Sequence, residues 1–180
     1  ARPADGSRSS LSVTLKGGHN GEHHNHNDVG EFVVGVNGQL PLLDPGIDVY
    51  NKDTFGPRRY ENEMLNSRGH AVPVVAEQLQ KTGSKAAARI LKSEFTPQAD
   101  TFTLDLSALY EVPGLQRLER EFIYSRDGKG ALVVADHFAF TRPESYESAL
   151  ITYGNLTRES TDTVVISAGK DGKGGVRVKI

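Results

Sequence analysis

The sequence predicts an all-β protein: an antiparallel β-sandwich of about ten short strands over residues 11–180, preceded by a linker or cut point at residues 1–10. Three observations carry that prediction. Short runs alternating apolar and polar residues recur at regular spacing, as expected of strands half-buried between stacked sheets. Two turn sequences, Asn37-Gly38 and Arg126-Asp127-Gly128-Lys129-Gly130, are rich in residues that tolerate positive φ, which tight hairpins require. From His70 onward nearly every run favours strand, with Ala86-Ala87-Ala88-Arg89 as a local exception that favours helix.

In chain order, ARPADGSRSS is small and polar, and Leu11-Ser12-Val13-Thr14-Leu15 then alternates as a strand leading to Gly17-Gly18. Phe32–Val36 and Gln39–Leu43 flank Asn37-Gly38 as a hairpin, and a two-residue loop there sets Asp44 opposite Glu31. Residues 47–66 have no clear period and hold Lys52, Arg58, Arg59 and several acids, so they read as a long loop over the sheet. Loops longer than about 12–15 residues are usually functional or disordered. Strands are predicted over 71–79 and 86–94 around a Lys81-Thr82-Gly83-Ser84 turn, then over 101–106, 115–125 and 131–140. The last are expected at 147–153, at 162–167 and, after an Asp171-Gly172-Lys173-Gly174-Gly175 turn, at 176–180.

At 180 residues the chain suits one domain with a sizeable core, and 37% hydrophobic with 24% charged residues is ordinary for a globular protein. A net charge of −2 leaves no basic footprint, which argues against nucleic acid and anionic membranes as general partners. The absence of cysteine excludes disulfides and thiolate metal sites but leaves the compartment open. No run approaches the roughly 20 apolar residues of a membrane span, and no signal peptide is recognisable.

Chemistry concentrates at one place. Four of the six histidines, His19, His23, His24 and His26, fall within residues 19–26. Such a cluster is either a solvated, turn-rich loop or a group that binds a cation or moves protons, because imidazole titrates near neutrality and is the commonest metal ligand. In an extended segment His24 and His26 would share a face, with Asn25 turned away. Asp44, at a strand end before Pro45-Gly46, is held at a fixed angle by a rigid turn, as suits a ligand. His26 reaches it only if residues 26–31 curl back over the hairpin, and Gly30 would permit that bend. His70 alone reads as a core or rim residue; with His26 and Asp44 it completes a two-histidine, one-carboxylate set that leaves a fourth position open on zinc. His137, beside Asp136 in an apolar strand, is expected to hydrogen-bond on one sheet face, and Tyr110, Tyr124 and Tyr153 to pack on sheet faces.

The order His24-Asn25-His26-Asn27-Asp28-Val29-Gly30, a strand pair, Asp44-Pro45-Gly46, Tyr50, Arg58-Arg59 and Ser67-Arg68-Gly69-His70 resembles the β-sheet domain of the heparinase II/III-like polysaccharide lyases. The motifs lie within residues 19–75, and the later strands fit in general pattern. The resemblance implies that His26, Asp44 and His70 bind zinc or another divalent cation, and that His24 faces the substrate and takes part in catalysis. It implies a lyase domain, periplasmic or secreted, acting by β-elimination on an acidic, uronic-acid-containing polysaccharide such as a glycosaminoglycan or alginate. The family's N-terminal helical toroid, which supplies a catalytic Tyr and the Asn or His for the substrate carboxylate, is implied as a partner domain. Nothing in these residues resembles it, so the domain alone is expected to be inactive. Ala71 stands where many relatives carry Asn.

β-Elimination requires removal of the C5 proton, neutralisation of the adjacent carboxylate and protonation of the leaving oxygen. In that setting His24 is the catalytic candidate, and His23 and Arg59 are candidates for substrate binding; Arg58 and Arg59 can grip a carboxylate through a bidentate fork or serve as solvated salt-bridge partners. Two other classes remain open. One is a noncatalytic carbohydrate-binding sandwich with a structural metal, although no tryptophan and 7% aromatics offer few stacking surfaces. The other is an iron oxygenase with His26, Asp28 and His70 as ligands.

Overall fold

The alternation is clearest in Leu115–Ser125, where Leu118, Arg120, Phe122 and Tyr124 are buried and the residues between them are not. A strand with one buried face needs partners on both edges and a second layer over that face. The computed structural model, which describes residues 1–7, 9–47, 49–168 and 174–180, supplies both.

Among the described residues there are fourteen strands: β1 Ser12–Leu15, β2 His19–Asn20, β3 Phe32–Val36, β4 Gln39–Leu42, β5 Pro73–Val75, β6 Gly83–Ala87, β7 Arg89–Phe95, β8 Ala99–Asp105, β9 Leu115–Ser125, β10 Ala131–Phe140, β11 Tyr146–Ser148, β12 Asn155–Arg158, β13 Thr163–Ala168 and β14 Gly174–Lys179. Every pairing is antiparallel. One layer is the sheet β10-β9-β8-β7; facing it are β1-β3-β4 and β12-β13-β14, and the pairs β11-β5 and β2-β6 close the sides. Phe32, Val34, Leu42 and Ile166 from the second layer meet Leu104, Leu118 and Phe122 from the first. Phe32 meets Phe122 edge to face, with ring centroids 6.1 Å apart. Each fully buried aliphatic or aromatic side chain contributes about 1.5–3 kcal/mol, and the sandwich rests on that layer. At one edge β7 has all seven residues exposed, Ile90 and Phe95 included.

The predicted β-sandwich is thus observed, and β9 and β10 have the expected bounds. Other elements differ for local reasons. The Asn37-Gly38 hairpin forms with φ of 51° and 73°, and Val36 pairs with Gln39 as expected. Val34 then pairs with Leu42, because one extra residue bulges from β4 beside Pro41, which has no N–H to give a ladder. The register expected to face Asp44 with Glu31 therefore slips. The run 71–79 is strand only at β5; Ala76 and Glu77 turn left-handed at φ 48° and 62°, and Gln78 donates back to the Val75 carbonyl. The run 86–94 breaks at Ala88 into β6 and β7, which join different sheets, so the local helical preference of Ala86–Arg89 is overridden. The 147–153 run is strand only over Tyr146–Ser148, while β2 and β12 were not foreseen. Residues 171–173 of the expected last turn lie outside the described residues. Tyr110 and Tyr124 are buried as expected, but Tyr153 is 74% exposed, and His137 is exposed while Asp136 is taken by Arg120. Among the described residues, no helix is long and apolar enough to cross a membrane.

Candidate metal centre

Residues 21–31 form neither strand nor helix, so their buried backbone must find partners elsewhere. Side chains supply them. Arg59, in the short 3-10 turn Arg59–Glu61, donates from Nε and Nη2 to the Asn25 carbonyl at 3.1 and 2.6 Å and from Nη1 to that of Thr54. Gln80 accepts from Val29 N at 3.2 Å, returns a bond from Nε2 to the Val29 carbonyl at 2.7 Å, and accepts from Asn20 Nδ2 at 2.9 Å. The Ser67 hydroxyl donates to the Asn27 carbonyl at 2.9 Å. The expected curl occurs at Gly30, with φ 91°: Glu31 N donates to the Asp28 carbonyl and Gly30 N to that of Lys16. A Cβ at Gly30 would lie 3.0 Å from Leu106 Cδ1, so both conformation and space call for glycine.

The curl brings together His26, Asp28, Asp44 and His70, which offer donor atoms all within 4.8 Å of one another. The imidazoles of His26 and His70 tilt against each other with centroids 5.2 Å apart. Tetrahedral zinc, with bonds of about 2.0–2.1 Å, holds its donors about 3.4 Å apart, so side-chain adjustment of roughly an ångström would close this group on an ion. Two neutral imidazoles with a carboxylate suit zinc or a similar divalent cation. The two carboxylates differ. Asp28 is buried and paired with Lys16 Nζ at 2.5 Å, whereas Asp44 is exposed, with Oδ1 accepting from Gly46 N at 2.7 Å. Asp44 is thus the freer ligand.

His70 follows the 3-10 turn Ser67–Gly69, which is capped by the Asn66 side chain accepting from Arg68 N at 2.9 Å. Its ring is fully buried, with Nδ1 held by Glu31 Oε1 at 3.0 Å and Nε2 donating to the Met64 carbonyl at 3.1 Å. An ion at Nε2 would displace that weaker neutral contact, while Glu31 fixes the other nitrogen, the usual support for a ligating histidine. Burial by itself would lower the His70 pKa, but the hydrogen bond and charge of Glu31 raise it overall. Burial raises the Glu31 pKa against the pull of His70. For His26, burial and then the charge of His70 lower the pKa, which favours the neutral, ligating form.

His24 takes a separate course. Its backbone is left-handed, at φ 57°, so the extended geometry expected to align it with His26 does not hold. Its exposed ring lies among aromatics: Nδ1 shares a 3.0 Å hydrogen bond with the Tyr50 hydroxyl, the ring lies over Tyr50, and Phe55 meets it edge-on at 5.0 Å. Phe55 and Tyr50 are 60% and 48% exposed, forming an open aromatic rim. His23 is exposed nearby in sequence, and Arg58 pairs with Asp53 at 2.6 Å. Arg59 is buried beneath, between Phe55 and Tyr60, with its guanidinium turned to the carbonyls. Sequence reasoning missed Glu31 and Gln80. Neither stands in a motif, and their roles come from contacts 39 and 51 residues away.

A family model described as Heparinase II/III-like, C-terminal, matches residues 7–176. No curated protein matches the chain. Among solved structures, the heparan sulfate lyase HepC from Pedobacter heparinus and a mutant of it each superpose with a TM-score of 0.69 at 21% identity, covering 89% of this chain and 24% of theirs. That likeness is one of fold, and the chain spans about a quarter of the length of those lyases. The family match takes in nearly the whole sandwich together with His24, His26, Asp44 and His70, and so the chain belongs to the heparinase II/III-like family, as its C-terminal domain.

Proposed function

We propose that this is the metal-bearing domain of a polysaccharide lyase that cleaves uronic-acid-containing glycans by β-elimination. The observation that carries the proposal is the convergence of His26, Asp44 and His70 on one point, in the same loop system that presents His24 on an open aromatic rim. A glycosaminoglycan is the favoured substrate class, since the similar solved structures are of a heparan sulfate lyase. In that reading the protein is periplasmic or secreted, and a helical toroid in the full-length chain completes the cleft.

His26, Asp44 and His70 would hold zinc or another divalent cation. When bound, the ion supplies a fixed positive charge that ties the histidine loop to the segments carrying Asp44 and His70. His24 moves the proton. Its Nδ1 is engaged by Tyr50, which leaves Nε2 for the substrate: with Nδ1 donating to the Tyr50 oxygen, Nε2 is free to accept the C5 proton, and the imidazolium so formed can return that proton from Nε2 to the leaving oxygen, which restores the neutral ring. Tyr50 and Phe55 offer apolar faces on which a sugar ring can stack, and they hold the imidazole in one plane. His23 is assigned to substrate binding. Arg59 holds the Asn25 carbonyl, and only its remaining Nη hydrogens are available to a substrate carboxylate.

The same exposed rim would serve a noncatalytic carbohydrate-binding domain with a structural metal, and one experiment separates the two. The full-length protein is incubated with uronate polysaccharides and the unsaturated uronate chromophore is followed. The lyase reading expects product with the full-length protein and none with residues 1–180 alone. Polysaccharide binding by a metal-loaded full-length protein that forms no chromophore on any uronate substrate would favour the binding module.

A further inference from the structure

The four-stranded sheet reaches the metal centre through one side chain. Arg120, in the middle of β9, is fully buried, and all five of its N–H donors are placed. Nε and Nη2 grip the two carboxylate oxygens of Asp136 on β10 at 2.7 and 2.8 Å, and Nη2 also donates to Ser148 Oγ on β11 at 2.9 Å. Nη1 donates to two backbone carbonyls, those of Gly30 at 3.0 Å and Ala71 at 2.8 Å. Gly30 immediately precedes Glu31, and Ala71 immediately follows His70. Those two side chains are joined at 3.0 Å, and Ala71 N adds a longer 3.4 Å contact to the same Glu31 oxygen. A single nitrogen therefore spans the two chain segments that carry the supporting acid and its imidazole, while Asp136 fixes the plane of the fork.

We infer that Arg120 is a positioning residue of the metal centre, which sets the separation of backbones 30–31 and 70–71 and so the direction in which Glu31 presents His70 to the ion. This rests on the reading of His26, Asp44 and His70 as ligands. The geometry asks for a guanidinium specifically, since an ammonium has three donors and no planar fork, and cannot serve both carbonyls, the carboxylate and the hydroxyl together. Both carbonyls are buried outside any strand and need a donor, and the guanidinium that satisfies them also fixes the spacing of the segments that carry Glu31 and His70.

Zinc affinity is the readout, measured by chelator competition on the full-length protein after metal removal, below the melting temperature of each variant and with near-UV circular dichroism confirming the fold. Arg120→Lys should weaken zinc binding by about 10–100-fold, the usual loss when an outer-shell partner is removed. Ser148→Ala, which unpairs the same guanidinium away from the metal segments, should stay within about twofold. Combined with Glu31→Gln, Arg120→Lys should add less than the product of the two separate losses, because both act through the pose of His70. Wild-type affinity in a folded Arg120→Lys, or fully multiplicative losses in the double variant, overturns the inference. If Arg120→Lys does not fold, Asp136→Asn decides, with weakened zinc binding expected and unchanged binding fatal. A folded wild-type protein that binds no zinc would overturn the metal reading itself, a failure distinct from these.

Discussion

The sheet β7–β10 and the histidine loop solve one problem in opposite ways. Over residues 119–125 β9 is paired on both sides, with β8 and with β10, and its register with β10 runs unbroken from Ala131–Ser125 to Ala139–Arg117. In residues 21–31 that task falls to Arg59, Gln80 and Ser67, each reaching across sequence to a particular carbonyl or N–H. A ladder spreads its stability over many equivalent bonds. The loop concentrates it in a few side chains, and in exchange presents histidines in directions no strand could give. Function placed on irregular segments over a rigid scaffold is the general pattern, and here the scaffold extends Arg120 into the loop.

That contrast can be tested from its strongest consequence downward. In the full-length protein His24→Ala should lower kcat/KM by about 10²–10⁴ and leave metal content and melting temperature nearly unchanged, because its ring is exposed. His26→Ala should do the reverse: metal is lost, and with it the stabilisation by ligand, about 4 kcal/mol at free zinc a thousandfold above Kd, read as a denaturation midpoint that no longer responds to zinc. Acid should mimic that variant. Ligating imidazoles must be unprotonated, so metal content should fall as pH drops: His70, whose pKa Glu31 raises, starts to compete for protons on the alkaline side of the ordinary histidine value of about 6.5, and His26, whose pKa burial lowers, follows on the acid side. On the sheet side, Leu118→Ala opens a cavity in the core and should cost about 2–5 kcal/mol while zinc affinity per folded molecule holds. Gln80→Leu should cost less, about 1–3 kcal/mol from the unpaired Asn20 and Val29 groups, yet weaken zinc binding through the loop. If Leu118→Ala shifts zinc affinity more than Gln80→Leu, the division between scaffold and loop is wrong.

The two regions also differed in how far they could be read from sequence. β9 and β10 were legible to the residue because period-two alternation continues through Leu118, Arg120, Phe122 and Tyr124, and even the charged member of that series points inward. The resemblance and the motif spacing named His26, Asp44 and His70, and the turn at Gly30 followed from asking how His26 could return to the hairpin. The rest depended on contacts that leave no periodic trace. In the sequence Glu31 stands only as the residue opposite Asp44, and it is the buried partner of His70; Arg59 reads as a grip for a substrate carboxylate or a solvated salt-bridge partner, and it is a buried brace. Local preference misled where tertiary pairing overruled it, as at Ala86–Arg89, which the opposing demands of β2 and β8 divide between two sheets.

The bare edge at β7 bears on how such a domain behaves when many copies are together. An outermost strand with an unpaired ladder and apolar side chains such as Ile90 and Phe95 is a template for strand addition, the first step of edge-to-edge aggregation. The sequence of β7 works against its own repetition. Two copies paired antiparallel about their midpoint would set Lys92 directly against Lys92, a like-charge juxtaposition that disfavours the match. A foreign strand carrying an acid at that position would meet no such repulsion, so in this register the edge suits a complementary chain better than a second copy.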